Sequence, residues 1–568
     1  MKKTNLFVLL LFILVPMIYS CSLLINQLET SDYKTLPGNG KKIHIVFGHN
    51  VNGETNPCGC RQFPLGGLPQ VAGALAEIKK NGEPVIYIDT GDMLFPSNNV
   101  PETLKSSLTF TAEYLFHSLE SLGLNYMVAG DQDLGLGTDY LARLINKSKV
   151  QLLISNLKPG SGLKVKKWAR IENGNVRIYL IGVGNPGSYT AAISPLLSDA
   201  HLAIKQAVEE IKADGYIADN PNHRLILLSH GGMDFDIENA KAFPQLNWII
   251  GAHTQSFTRI PYEQGTTQMV QVLSRNHYLG HIILDVEKGK SADQYQLVEM
   301  RQEVAGKLTP NPYFGSLAEH KKQLEKVQAE EQEKMTVQVT NLPKFSSANS
   351  CLDCHEAQGK HWQATPHSLA FLTMLKARSE NNGQCVGCHT LGFQKERGFS
   401  STKDVVVFAL SHSHDGEEDH SHEEYTSANT DDPESLKQFK KIRQDYWSAV
   451  SKNLPISKSV REMPAKELLK ARKKWDQLND KFTIQNDFAN VQCLNCHNQP
   501  YDHPFTINHT VDKKLRQEEI AKKCQTCHVP DQAPHWYVRD EKGNLGELDK
   551  VKFAQAYKKM SCPRYVEQ

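Results

Sequence analysis

CLDCH at Cys351–His355, CVGCH at Cys385–His389, CLNCH at Cys493–His497 and CQTCH at Cys524–His528 repeat one pentapeptide, C-x-x-C-H, four times. Two thiols one helical turn apart can add to both vinyl groups of one porphyrin, and the His that follows then lies under the iron as its proximal ligand. Chance supplies on the order of 0.01 such pentapeptides in a chain of this composition. Zinc and disulfides are the competing readings of a C-x-x-C pair, but zinc knuckles do not require His directly after the second Cys every time. The motifs therefore imply four covalent c-type haems. The thioethers fall on Cys351, Cys354, Cys385, Cys388, Cys493, Cys496, Cys524 and Cys527, and the proximal ligands are His355, His389, His497 and His528.

Outward from this stretch, 13 His lie between Cys351 and the C-terminus. Beyond the proximal four, His412, His414, His420 and His422 crowd an insert in which His alternates with Asp and Glu. Its composition fits a weakly metal-binding loop or a solvated tract without function. His361, His367, His503, His509 and His535 remain as candidate distal axial ligands. Helices are expected over Pro433–Val450 and Ala465–Leu478, an α-hairpin before the third motif.

The chain has 568 residues, with Lys+Arg 64 against Asp+Glu 63. That balance argues against a nucleic-acid partner and against a polybasic membrane face. Lys2 and Lys3 precede an apolar run from Leu6 to Ile18 that ends before Ser20, the pattern of an export signal over residues 1–20. The run is shorter than the roughly 20 apolar residues of a membrane-spanning helix. Cys21 after Ser20 resembles a bacterial lipobox, which implies acylation of Cys21 and a lipid-anchored tether over residues 21–40; an ordinary cleaved signal is the alternative. Eight of the 12 Cys go to haem and one to lipid, leaving Cys58, Cys60 and Cys562. Cys562 has no evident partner in the sequence.

Residues 41–301 alternate strands with helices and end strand-rich, the pattern of a layered α/β domain. Strands are expected at Ile43–Phe47, Val85–Asp89, Tyr126–Ala129, Leu225–Leu228, Trp248–Ile250, Gln268–Val272 and His281–Val286. Helices are expected at Leu68–Lys80, Thr103–Leu122 and Tyr140–Lys147. Polar motifs close the strands: Asn50 and Asn52, Thr90-Gly-Asp92, Ala129-Gly-Asp-Gln-Asp133, Ser229-His-Gly-Gly232 and Gly251-Ala-His-Thr-Gln255. In this order, with Leu65-Gly-Gly-Leu-Pro before the first helix, the region resembles the calcineurin-like metallophosphoesterases, in their periplasmic 5′-nucleotidase branch. In that family the motifs D-x-H, G-D, G-N-H, a single H and G-H-x-H hold two metal ions that activate water.

The resemblance implies that Asp92, His230 and His253 keep ligand positions. Asn50 and Asn52 replace the Asp and His of the first motif, Asp131 an Asn ligand, Gln132 the catalytic His, and Gln255 the final His. Neutral amides bind divalent ions more weakly than carboxylate or imidazole. The expectation is therefore a degenerate site holding at most one divalent ion, and an impaired hydrolase. Cys58 and Cys60, in a Gly/Pro-rich loop at the mouth of this site, are either a redox or soft-metal pair or a structural disulfide or inert thiols.

A charged, helix-favouring connector is expected within residues 302–345, from Gly315 to Met335. Residues 346–568 form the mainly α, loop-rich haem domain. From Ser350 onward the chain resembles the tetrahaem cytochromes that carry electrons from hydroxylamine oxidation. The matching residues are CLDCH, Trp362-Gln-Ala-Thr-Pro-His367, CVGCH-Thr-Leu-Gly-Phe, Asn490-Val-Gln before CLNCH, and CQTCH. The resemblance implies close-packed haems with mostly bis-His iron and favours His367 as a distal ligand. The sequence thus implies an exported, membrane-anchored electron carrier facing the periplasm or cell exterior, with redox proteins as partners and a small-molecule substrate it does not identify. A metal-dependent phosphoesterase coupled to a haem module is the alternative.

Overall fold

The computed structural model describes residues 31–36, 41–57, 64–334, 345–352, 354–409, 424–425, 433–497, 513–530, 532–539 and 545–563. The export signal, Cys21, Cys58, Cys60, His503, His509 and the His412–His422 insert lie outside them. Among the described residues no helix is long and apolar enough to cross a membrane. The chain divides into two compact units, with a boundary between His320 and Lys321. That boundary falls inside helix Tyr313–Lys334, where the connector was expected.

The first unit holds strands β1 (Ser31–Thr35), β2 (Lys42–Gly48), β3 (Val85–Asp89), β4 (Leu124–Met127), β5 (Gln151–Leu153), β6 (Val165–Lys166) and β7 (Trp168–Asn173). It continues with β8 (Val176–Gly184), β9 (His223–His230), β10 (Trp248–Ile250), β11 (Tyr262–Gln264), β12 (Thr267–Val270), β13 (Tyr278–Asp285) and β14 (Gln294–Glu299). Two seven-stranded sheets form, ordered β14-β13-β2-β3-β4-β5-β6 and β1-β7-β8-β9-β10-β12-β11. Strands β2 to β6 run parallel, as do β8, β9, β10 and β12.

The period-two alternation of side chains explains the stacking. Ile43, Ile45, Phe47, Ile86 and Ile88 of one sheet share a core with Ile178, Leu180, Ile226 and Leu228 of the other. The intervening Val46 and Tyr87 face outward onto helices α1 (Leu68–Lys79), α2 (Lys105–Ser121) and α3 (Thr138–Ile145). On the far side Tyr179, Ile181, Leu225 and Leu227 meet helices α4 (Ala200–Ala213) and α5 (Met233–Ala242). Helix α2 buries Ala112, Leu115, Phe116 and Leu119, and α4 buries Ile204, Ala207, Val208 and Ile211, each an i, i+3, i+4, i+7 stripe. The result is a four-layer α/β/β/α sandwich with both faces of each sheet covered.

One expectation needs correction: the tether does not extend to residue 40. Ser31–Thr35 pairs parallel with Trp168–Glu172 as an edge strand. Tyr33 packs edge-on against Trp168 at 5.7 Å, the Arg170 guanidinium lies 4.6 Å from the Tyr33 ring centre, and Leu36 is buried. These contacts outweigh the polar composition that suggested a linker.

The second unit is mainly helical. Its core takes Tyr446 and Val450 from helix Pro433–Asn453 and Leu468, Ala471, Trp475 and Leu478 from helix Ala465–Lys481, the expected hairpin. Phe408 and Val406 come from a small antiparallel sheet of Val406–Ala409, Glu424–Tyr425 and Ile484–Asp487. Buried Asp487 accepts hydrogen bonds from Trp475 Nε1 (2.8 Å), Asn479 Nδ2 (2.8 Å) and Ala489 N (2.9 Å), and Tyr446 donates to Asn479 Oδ1 at 2.7 Å. The hairpin is thereby fixed to the strand that leads into the third C-x-x-C-H motif.

Candidate functional site

The parallel strands end on one edge of the sandwich, and the polar motifs leave from those ends. Asp92 follows β3, Asp131 follows β4, His230 closes β9 and His253 follows β10. Their ligand atoms lie within 4.8 Å of one another. His230 Nε2 is 3.3 Å from Asp131 Oδ1 and 3.4 Å from Asp92 Oδ1, and His253 Nδ1 is 3.3 Å from Asp131 Oδ1. A tetrahedral ion with bonds of about 2.0–2.1 Å has ligand–ligand edges of about 3.3–3.4 Å, so these three separations fit one divalent ion.

The surrounding groups fix which atoms face inward. His230 Nδ1 is 2.8 Å from the Thr90 carbonyl, so Nδ1 carries the proton and Nε2 is left for a ligand. Asn98 Nδ2 donates to Asp131 Oδ2 at 2.8 Å, and Asn50 Nδ2 donates to Asp92 Oδ2 at 2.9 Å. Asp92 Oδ1 accepts the Gln132 backbone N–H at 3.0 Å. Beneath them the carboxylate of Asp133, fully buried, accepts the backbone N–H groups of Asp92 (2.8 Å), Met93 (2.9 Å), Leu94 (2.8 Å) and Gly130 (2.8 Å).

The backbone here is strained and tightly packed. Asn50, Asn52, Asp92, His253 and Gln255 all have positive φ, between 48° and 76°. At Gly130 a Cβ would sit 2.2 Å from Asp92 Oδ1 and 2.5 Å from His230 Cε1, so only glycine lets the β4 loop close on the site.

Burial pushes Asp92 up to about 7, against the pull of His230. Burial also opposes the His230 imidazolium, yet Asp92 and Asp131 beside it push its pKa up to about 9. Asp131, although burial acts to raise it, is held well below the ordinary carboxylate range by hydrogen bonds from His230 and His253. The metal-free quartet therefore keeps a proton on His230 that a cation must displace.

Of the seven expected site residues, Asp92, Asp131, His230 and His253 bring their potential ligand atoms together. Asn50 joins them as a hydrogen-bond donor to Asp92: its own oxygen accepts from His253 N (3.1 Å) and from His49 Nδ1 (2.7 Å). Asn52 donates its backbone N–H to the Asp92 carbonyl at 2.9 Å, and its Oδ1 is buried without a partner. Gln132 likewise has a buried, unpartnered Oε1. Gln255 is half-buried, and among the described residues no hydrogen bond ties it to the quartet. Sequence reasoning passed over His49 and Asn98, and it named Asp133 only as the end of a polar motif, without a role. Asp133 lay in view, two residues after a ligand in a Gly-led loop, where buried carboxylates gather backbone N–H groups.

The second unit holds all four C-x-x-C-H motifs. Cys351 of the first lies beside Cys493 of the third and Cys527 of the fourth beside Cys388 of the second, while the short helix of the third motif packs on the helix that carries the fourth. His355, His389, His497 and His528 are all half-buried. His389 Nδ1 is 2.8 Å from the Ala370 carbonyl, which leaves Nε2 as the bare nitrogen an axial ligand needs. The His367 and His528 ring centres are 6.2 Å apart, against about 6 Å for two imidazoles on opposite sides of one iron. His361 has a buried Nε2 without a partner, whereas His535 is exposed. The other conspicuous residues of this region brace it: Trp362 Nε1 donates to the Val491 carbonyl (2.8 Å), Asn490 Oδ1 accepts Phe371 N (2.9 Å) and Gln492 Nε2 donates to the Asp487 and Ala489 carbonyls (2.6 and 2.8 Å).

No curated protein matches the chain by sequence. Among solved structures the sandwich is similar to sulfate thiohydrolase SoxB of Thermus thermophilus in complex with glycerol (17% identity, TM-score 0.40, covering 49% of this chain and 61% of that one). It is also similar to a 5′-nucleotidase precursor of Thermus thermophilus (16%, 0.41, 59% and 67%) and a putative 5′-nucleotidase of Staphylococcus aureus (16%, 0.44, 65% and 74%). The chain thus spans about three fifths of the first of these relatives. Residues 350–409 match the family model of cytochrome c554 and c-prime, and that match implies haem. Within the second unit, residues 350–409 thus carry a cytochrome c signature.

Proposed function

We propose that this protein is an exported, lipid-anchored multihaem c-type cytochrome that passes electrons between redox proteins. Its metallophosphoesterase-like domain holds one divalent ion and is impaired as a hydrolase. The observation that carries the reading is that four C-x-x-C-H motifs fall in the one compact unit that contains the cytochrome c554 match. The eight motif Cys would hold four haems by thioethers, and His355, His389, His497 and His528, with His367 near His528, would supply axial imidazoles. Haem iron supplies one-electron transfer when bound. The chain's own residues orient the axial imidazoles, as the Ala370 carbonyl does for His389.

The impaired-hydrolase reading rests on Gln132. Its side chain cannot protonate a leaving alkoxide, and general acid catalysis is worth about 10²–10⁴-fold. In the Mn²⁺-loaded full chain, phosphomonoester and phosphodiester turnover is expected to be near background. Gln132→His is expected to raise it by about 10²-fold. Robust turnover by the unaltered protein, abolished by Asp92→Ala, would contradict this reading and favour the second one, a metal-dependent hydrolase joined to a haem module. The Asp92–Asp131–His230–His253 quartet is what keeps that second reading open.

A further inference from the structure

We propose that the Asn50 side-chain amide, locked in place by His49, occupies the position of a second metal ion and makes the Asp92–Asp131–His230–His253 site strictly mononuclear. This deepens the one-ion reading above and rests on it.

The orientation of the amide follows from its neighbours. His49 Nε2 accepts the backbone N–H of Val272 at 2.7 Å, so the ring proton of His49 sits on Nδ1. That Nδ1–H and the backbone N–H of His253 both point at one Asn50 atom, at 2.7 and 3.1 Å, and two donors require it to be the oxygen. The amide nitrogen therefore faces Asp92 Oδ2, at 2.9 Å. His49 is 1% exposed and Asn50 0%, so neither has room to turn over.

A carboxylate bridges two ions either with one oxygen to each or through a single oxygen, and Asp92 Oδ1, which already accepts the Gln132 N–H at 3.0 Å, has one lone pair left for one ion. Asp92 offers Oδ1 to the quartet, where it lies 3.4 Å from His230 Nε2, but its Oδ2 is already bound to an N–H donor. The outer oxygen of Asp131 is closed in the same way by Asn98 Nδ2 at 2.8 Å. A second cation would have to displace amide hydrogens carrying the same sign of charge. Two residues from Asn50, Asn52 Oδ1 is buried and unpartnered, a neutral amide oxygen with no charge to hold a second cation.

In Asn50→Asp one carboxylate oxygen would keep the His49 and His253 donors. The other would face Asp92 Oδ2 with no hydrogen between them, and two carboxylates so placed take up a cation or a proton. The test loads full-length protein with excess Mn²⁺, removes free ion by gel filtration and counts manganese, which haem iron does not obscure, alongside the electron paramagnetic resonance spectrum. Unaltered protein is expected to hold one manganese with an isolated-ion spectrum, and Asn50→Asp two with an exchange-coupled spectrum. Two manganese ions or a coupled spectrum in the unaltered protein would overturn the proposal, as would a folded Asn50→Asp that still takes one. Where the variant does not fold, the unaltered protein decides alone. No manganese at all would instead overturn the one-ion reading itself.

Discussion

Asp133→Ala is expected to destabilise the N-terminal sandwich by about 4 kcal/mol and to abolish metal binding, although Asp133 is not a ligand. Its two oxygens accept four backbone N–H groups, two each: Oδ1 from Met93 and Leu94, Oδ2 from Asp92 and Gly130. Removing the carboxylate leaves four buried donors unpaired, at about 1–3 kcal/mol each. Relief of the buried charge offsets part of that, because burial raises the Asp133 pKa in the folded protein. Asp133→Asn would keep one oxygen for one pair of donors and turn an NH₂ toward the other, so it should lose roughly half as much. Denaturant unfolding of the full chain, followed by probes of the sandwich, checks the order unaltered protein, Asn, Ala. An alanine variant with unaltered stability would refute the cradle.

The second large effect concerns His367. With its ring centre 6.2 Å from that of His528, His367→Ala is expected to remove one axial bond and convert one low-spin haem to high spin. A shift in that haem's reduction potential should accompany the change. His535→Ala, at an exposed position, should leave both observables as they were. Resonance Raman or paramagnetic resonance spectra of the two variants make the comparison, and a His367→Ala spectrum with no high-spin component would rule out the pairing with His528.

Much of the sandwich was legible because buried parallel strands are compact apolar runs. Val85–Asp89 and Trp248–Ile250 were expected with the bounds they have. Strand β8, Val176–Gly184, escaped although it is nine residues long and central to its sheet, because Arg177 and two glycines interrupt its apolar run. Edge strand β1 escaped for the opposite reason: its stability comes from Trp168 and Arg170, far along the chain, and not from its own composition.

The ligand quartet was legible as motif order, since Asp92, Asp131, His230 and His253 each leave the end of a strand. What each amide does was not. Asn50 has the composition of a weak ligand, and only the Val272 N–H on His49, contributed from 223 residues further along the chain, turns its nitrogen toward Asp92. Hydrogen-bond direction is set by tertiary contacts that no local pattern encodes.

The central claim is four covalent haems on one chain, and it is tested most directly by counting them. The mature protein, made in a host competent for c-type maturation, should give four haems per chain by the pyridine haemochrome assay. Mass spectrometry should place thioethers on Cys351, Cys354, Cys385, Cys388, Cys493, Cys496, Cys524 and Cys527. Fewer than four haems, or zinc held by any of these Cys pairs in the purified protein, would contradict it.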